Sequence, residues 1–84
     1  MKFEITVTLK QEVLDPQGSA VLQTLKSLGH ESVQKVRQGK SFEIDLSEND
    51  ESKNLEKIKK MCEDLLVNSV IEDYKIKKIW WSLQ

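Results

Sequence analysis

Cys62 is the only cysteine of this chain and His30 its only histidine, and the two are the obvious places to look for chemistry. A covalent mechanism needs a nucleophile, a base beside it and a third group to orient that base. Cys62 has apolar neighbours at helical spacing, Ile58, Leu65 and Leu66. A cysteine on such a face behaves as a small hydrophobe, so it is assigned to the core. His30 follows Gly29 directly, has no relay partner near it in sequence, and reads as a turn residue. One cysteine and one histidine supply no ligand spacing for a structural zinc. Glu72 and Asp73 are adjacent, and on a strand their side chains leave on opposite faces, so they do not form an acid–base pair. The glycine segments Gln17-Gly18 and Gln38-Gly39-Lys40 match no phosphate-binding fingerprint. No catalytic residue, cofactor or metal is therefore expected on this chain.

Two conspicuous features remain. Lys57, Lys59 and Lys60, and again Lys75, Lys77 and Lys78, form basic runs. Single-stranded RNA is read by aromatic side chains on an exposed sheet face, but the first strand offers Glu4, Thr6 and Thr8 there. With 13 basic and 14 acidic residues the net charge is −1, so no global field favours nucleic acid or an anionic membrane. A solvated surface is the better reading of the lysines. The pair Trp80-Trp81 is a large apolar payload in a chain with few aromatics. On a strand the two rings would face opposite sides, so the core can absorb one and the other calls for a second surface.

The elements that must position these residues follow from periodicity. Phe3, Ile5, Val7 and Leu9 alternate with Lys2, Glu4, Thr6, Thr8 and Lys10, the pattern of a strand with one buried face. Asp15 suits a helix N-cap and Pro16 the first helical position. Val21, Leu22, Leu25 and Leu28 then follow helical spacing, and Gly29 ends a helix over residues 16–28. Residues 33–38 are expected to form a second strand, Gly39-Lys40 a tight turn, and Phe42, Ile44 and Leu46 the inward positions of a third. The acidic stretch 47–51 suits a helix entry. Leu55, Ile58, Met61, Cys62, Leu65 and Leu66 trace its inward face, Glu56 and Lys60 pair on the outer one, and Asn68 closes it. Val70, Tyr74 and Ile76 mark a last strand, with Ile71 on the other parity. The order is β-α-β-β-α-β, a two-layer α+β sandwich of ferredoxin-like connectivity with two helices on one face of a four-stranded sheet.

At 84 residues the chain fits one domain, 1–84, with the tail 75–84 either extending the last strand or making a contact of its own. A domain this small buries only about 60–65% of its unfolded surface. Small folds offset that with disulfides, metals or association, and association, either with itself or with a partner, is the expectation here. The lone cysteine fits a reducing compartment. The first residues alternate in polarity with no apolar leader, and no stretch approaches a membrane span, so the expected location is the cytoplasm.

Several segments in register carry a resemblance. Val13-Leu14-Asp15-Pro16-Gln17-Gly18, then Ala20-Val21 and Leu25-Lys26-Ser27-Leu28-Gly29, resemble the PurS family. So do Val33-Gln34-Lys35-Val36-Arg37-Gln38-Gly39-Lys40 and Met61-Cys62-Glu63-Asp64-Leu65-Leu66-Val67-Asn68, followed by Val70-Ile71-Glu72-Asp73-Tyr74. The resemblance spans residues 2–74. It departs from the family at Ser69, where proline is usual, and in the longer, more aromatic tail 75–84.

PurS is the small subunit of phosphoribosylformylglycinamidine (FGAM) synthase. The resemblance therefore implies a non-catalytic subunit that bridges a PurL-type synthetase and a PurQ-type glutaminase and supports ammonia transfer between them. The complex would use ATP, Mg and glutamine to convert formylglycinamide ribonucleotide (FGAR) to FGAM, and the subunit would also form dimers or tetramers. Asp15, Gln17, Gly18, Arg37, Gly39, Lys40, Trp80 and Trp81 are then candidates for the partner interface. A stand-alone ligand-sensing module of the same build, and an RNA-binding module, are the alternatives from other classes.

Overall fold

A computed structural model describes residues 1–79; the expectation for Trp80 and Trp81 lies outside the described residues. The chain runs β1 (Lys2–Leu9), α1 (Pro16–Ser27), β2 (Gly39–Asp45), α2 (Glu51–Met61) and β3 (Glu72–Ile79), with a π-helical turn (Cys62–Leu66) continuing α2. The three strands form one antiparallel sheet in the order β2-β1-β3.

The alternation of β1 does what its period demands. Phe3, Ile5 and Val7 are almost fully buried, and they face Ile44, Phe42 and Lys40 on β2 and Lys78, Ile76 and Tyr74 on β3. Ile58, Cys62 and Val67 close the core from the other layer. Helix α2 starts where Asp50 accepts from the backbone N–H groups of Ser52 (3.1 Å) and Lys53 (3.3 Å). Inside its first turn Asn54 is fully buried and donates to the Glu48 carbonyl at 2.9 Å, tying the helix to the loop that enters it.

Four expectations need correction. Residues 33–38 form no strand, so the sheet has three strands rather than four. Their apolar residues, Val33 and Val36, are three apart rather than two, which does not give a strand a buried face. Gly39 and Lys40 are not a hairpin tip but the first two residues of β2, paired with Thr8 and Val7. The two helices do not share the work of covering the sheet: the core and the partly buried residues packed on it include α2 but no residue of α1.

The fourth correction is at the end of α2. Val67 donates its N–H to the Cys62 carbonyl at 3.0 Å, a five-residue step rather than four. The wider turn rotates the residues after it, so Leu65, expected inside, is 83% exposed and Val67 is buried in its place. Asn68 then holds the reverse turn that contains Ser69. Its carbonyl accepts from Ile71 and Glu72, its side chain accepts from Val70, and its own N–H donates to the Glu72 carboxylate at 2.7 Å.

Candidate functional site

Helix α1 begins as the sequence predicts and then does something it does not. Pro16 occupies the first helical position, where no backbone donor is missed. Asp15 caps the helix by accepting from the Gly18 N–H at 2.9 Å through one carboxylate oxygen. Its other oxygen accepts from the Gln38 N–H at 2.9 Å, 23 residues along the chain. One side chain therefore pins the start of α1 to the start of β2. Those two hydrogen bonds, Gln38 first and Gly18 second, hold the Asp15 carboxyl below its usual value of 3.8, and the nearby Arg37 charge acts in the same direction.

Gly18 completes the junction. It is the one buried residue of α1, and a side chain there would overlap the Val36 carbonyl and the Asp15 carboxylate. A second bond, from the Gln38 side-chain amide to the Gln17 side-chain oxygen at 2.9 Å, lies alongside. Arg37 turns inward and donates to the Leu9 carbonyl, tying the loop to the end of β1. Gly39 sits against β1 so closely that a Cβ would overlap the Val7 carbonyl.

Between these parts lies an open cleft of about 480 Å³. Its floor is Val7 and Leu9, the last apolar residues of β1. Asp15, Pro16 and Gln17 form one wall, and Gln38, Gly39 and Lys40 another. Glu72 closes the rim and pairs with Lys40 at 3.7 Å, across the β1 strand between them. The Lys40 ammonium also lies 5.9 Å from the centre of the Phe42 ring.

All six candidate interface residues before the tail thus gather at one end of the molecule. Asp15, Gln17, Gly39 and Lys40 line the cleft, while Gly18 and Arg37 build its frame. Five further lining residues, Val7, Leu9, Pro16, Gln38 and Glu72, were not among the sequence candidates. Glu72 stood out in the sequence as half of an adjacent acidic pair and within the segment 70–74, and it reaches the cleft because β3 pairs in a register that sets it opposite Leu9.

The charged groups of the cleft are a half-buried carboxylate fixed by backbone donors and an ion pair, and the residues that line it include no Ser, Thr, Cys or His. Among the described residues no group of three His, Cys, Asp or Glu side chains is placed to hold a metal. No helix of the described residues is long and apolar enough to cross a membrane. Cys62 is buried in the core, where desolvation first and the Glu63 charge second raise its thiol above the usual 9.0, the opposite of nucleophile activation.

Comparison with known proteins is specific. The family model for PurS, phosphoribosylformylglycinamidine (FGAM) synthase, matches residues 2–79. The PurS subunit of that synthase from Bacillus subtilis is 47% identical over 74 residues, covering 88% of this chain and 87% of the relative. Among solved structures, a chain in the PurLQS structure from Thermotoga maritima superposes with a TM-score of 0.87 at 36% identity, covering 93% of this chain and 95% of that one. PurS from Methanocaldococcus jannaschii, described as one of the subunits of formylglycinamide ribonucleotide amidotransferase in the purine biosynthetic pathway, superposes with a TM-score of 0.83 at 38% identity over 90% of this chain and 92% of that one.

Proposed function

The chain belongs to the PurS family, the small subunit of FGAM synthase in purine biosynthesis, and on that premise we propose that it bridges a PurL-type synthetase subunit and a PurQ-type glutaminase subunit in the cytoplasm. The observation that carries this reading is its close superposition on a chain of the Thermotoga PurLQS structure, over nearly the full length of both. The assembly would convert FGAR to FGAM with ATP, Mg and glutamine, the glutaminase releasing ammonia and the synthetase consuming it. Ammonia that met bulk water would be protonated and diluted, so the transfer must be shielded from solvent. A rigid subunit can provide that shield without a reactive group of its own. In this reading the Asp15–Gln38 junction, the cleft edge at Gln17, Gly39 and Lys40, and the tail at Trp80 and Trp81 contact the larger subunits, with Gly18 and Arg37 keeping the junction in shape. The alternative of a stand-alone ligand-sensing module gains no support from these similarities.

Reconstitution tests the proposal. The two larger subunits are assayed for FGAM formation with glutamine and, separately, with an ammonium salt. Adding this chain is expected to restore the glutamine-dependent rate while changing the ammonium-dependent rate little. Full glutamine-dependent activity in its absence would remove the bridging role.

A further inference from the structure

The chain has three asparagines, and their surroundings differ. Asn54 is fully buried in α2 and donates to the Glu48 carbonyl. Asn49 is exposed, but it is followed by Asp50, whose own carboxylate disfavours any further negative charge on its backbone nitrogen. Asn68 is exposed, lies outside every helix and strand, and is followed by Ser69, which is not β-branched and crowds its own N–H little. The side chain of Asn68 is held over the turn that follows, its Oδ1 accepting from the Val70 N–H at 3.2 Å. A donor at that oxygen draws charge from Cγ and stabilises the oxyanion that forms when Cγ is attacked. The attacking group stands beside it. It is the backbone nitrogen of Ser69, whose N–H donates to no group among the described residues.

We propose that Asn68-Ser69 is a self-modifying site, at which the chain converts Asn68 to aspartate and isoaspartate without an enzyme. The Ser69 nitrogen loses its proton to hydroxide and bonds to Cγ of Asn68. The Cγ–Nδ2 bond breaks, and the side-chain nitrogen takes up a proton and leaves as ammonia. The product is a succinimide, which water then opens in one of two ways. Attack at Cγ breaks the new bond and leaves aspartate. Attack at the backbone carbonyl breaks the original peptide bond and routes the main chain through Cγ as isoaspartate. Overall the chain consumes a water and releases an ammonia.

The turn between α2 and β3 is tied together through this residue. The Asn68 N–H donates to one Glu72 carboxylate oxygen at 2.7 Å, and its carbonyl accepts from Ile71 and Glu72. The other Glu72 oxygen pairs with Lys40 on the rim of the cleft. Aspartate at 68 adds a second carboxylate close to Glu72, and like charges so near repel. Isoaspartate also lengthens the main chain by a methylene and moves it off the carbonyl to which Ile71 and Glu72 donate. Either product loosens the turn that sets the start of β3, and Glu72 carries the change to Lys40 and the cleft. The conversion runs one way and needs nothing but this chain and water, so it does not depend on the larger subunits.

Mass spectrometry on the full chain tests it. The purified protein is held folded in mildly alkaline buffer at physiological temperature, sampled over weeks, and digested in acid, with fragmentation that separates aspartate from isoaspartate. Asn68 is expected to convert roughly tenfold faster than Asn49, at a rate that climbs with pH because the attacking nitrogen must first lose its proton. Ser69→Pro removes that N–H and is expected to abolish conversion at Asn68. Ser69→Val keeps the N–H but crowds it with a β-branched side chain, and is expected to slow conversion roughly tenfold. The converted chain, separated by ion exchange, is expected to unfold at a lower urea midpoint than the unconverted one. Survival of Asn68 while Asn49 converts would overturn the proposal. So would conversion at Asn68 that neither substitution slows, since the Ser69 nitrogen would then not be the attacking group. A converted chain with an unchanged midpoint would overturn the link from Asn68 to Glu72.

Discussion

Asp15 shows how much one residue can carry and how little of that is written locally. Its role as a cap is legible from Asp15-Pro16 alone, because that pair is a common helix start. The second bond, to the Gln38 N–H, is invisible to periodicity, since it joins segments that meet only after the chain has folded. The two bonds lower the carboxyl's folded pKa, so the stabilisation they supply is fully present above the ordinary value of 3.8 and is lost as pH falls through the lowered one. Asp15→Ala is expected to lower the urea midpoint by about 0.5 M near neutral pH. The gap between variant and wild type should hold constant down to about pH 5 and close below about pH 4. A gap that persists undiminished in acid would mean the carboxylate's charge is not what the backbone donors hold.

Cys62 gives the opposite sign. Burial raises its thiol pKa, as it does the phenol of Tyr74 against the same core, so the neutral forms are favoured in the fold. Their contribution is present at neutral pH and is lost as pH rises through the raised values, beyond 9.0 for the thiol. In native buffer at neutral pH, Cys62 is expected to react with a thiol reagent no faster than the fold opens, and at full speed in denaturant. Rapid native labelling would contradict its place in the core. Its assignment as a core residue was legible because Ile58 four residues before it lies on the same helical face.

At the scale of elements, the successes and the misses have separate causes. Strand β1 and both helix starts were readable because a buried face at period two, or a capping side chain, is a local signal. The false strand at 33–38 came from reading β-branched residues without their spacing, and Val36 instead serves as the carbonyl that Gly18 must clear. That contact makes an unusual prediction. Alanine raises helix propensity over glycine by about 1 kcal/mol, so Gly18→Ala should help an isolated helix. In this chain it is expected to lower the urea midpoint, because the added methyl meets a backbone carbonyl that cannot swing away. Ser19→Ala, one position on and exposed, is expected to raise it slightly. Opposite signs at neighbouring positions would be hard to obtain from propensity alone.

The π-helical turn is the other element-scale miss, and no periodic template could have found it. Leu65 and Leu66 look equally inward on an ideal helix, whereas the five-residue step from Cys62 to Val67 moves the burial one position along. Leu65→Ala is accordingly expected to change stability by less than about 0.5 kcal/mol. Val67→Ala, which empties part of the core, is expected to cost about 1–3 kcal/mol. Both are read from urea midpoints, and a larger loss at Leu65 than at Val67 would mean the helix continues with ordinary spacing.

The whole molecule explains why the element count was right for the helices and wrong for what they cover. Two amphipathic helices and an alternating sheet imply a two-layer sandwich, and sequence pattern cannot say whether the helix that covers a face belongs to the same chain. Here α2 is the intrachain layer and α1 is directed away from the core, which leaves an 84-residue chain with a smaller core than its apolar content allows. Such a chain gains stability by association, and that gain depends on mass action. If the missing layer comes from a second copy, the urea midpoint must rise with protein concentration. A hundredfold dilution should lower apparent stability by about 2.7 kcal/mol per dimer. The variant Val21→Lys/Leu28→Glu should lose that dependence, since its residues are exposed in the single chain and matter only to the pair. A midpoint that stays fixed over the whole dilution series would show that the six buried apolar residues among those described, with their partly buried neighbours, are enough to hold the fold alone.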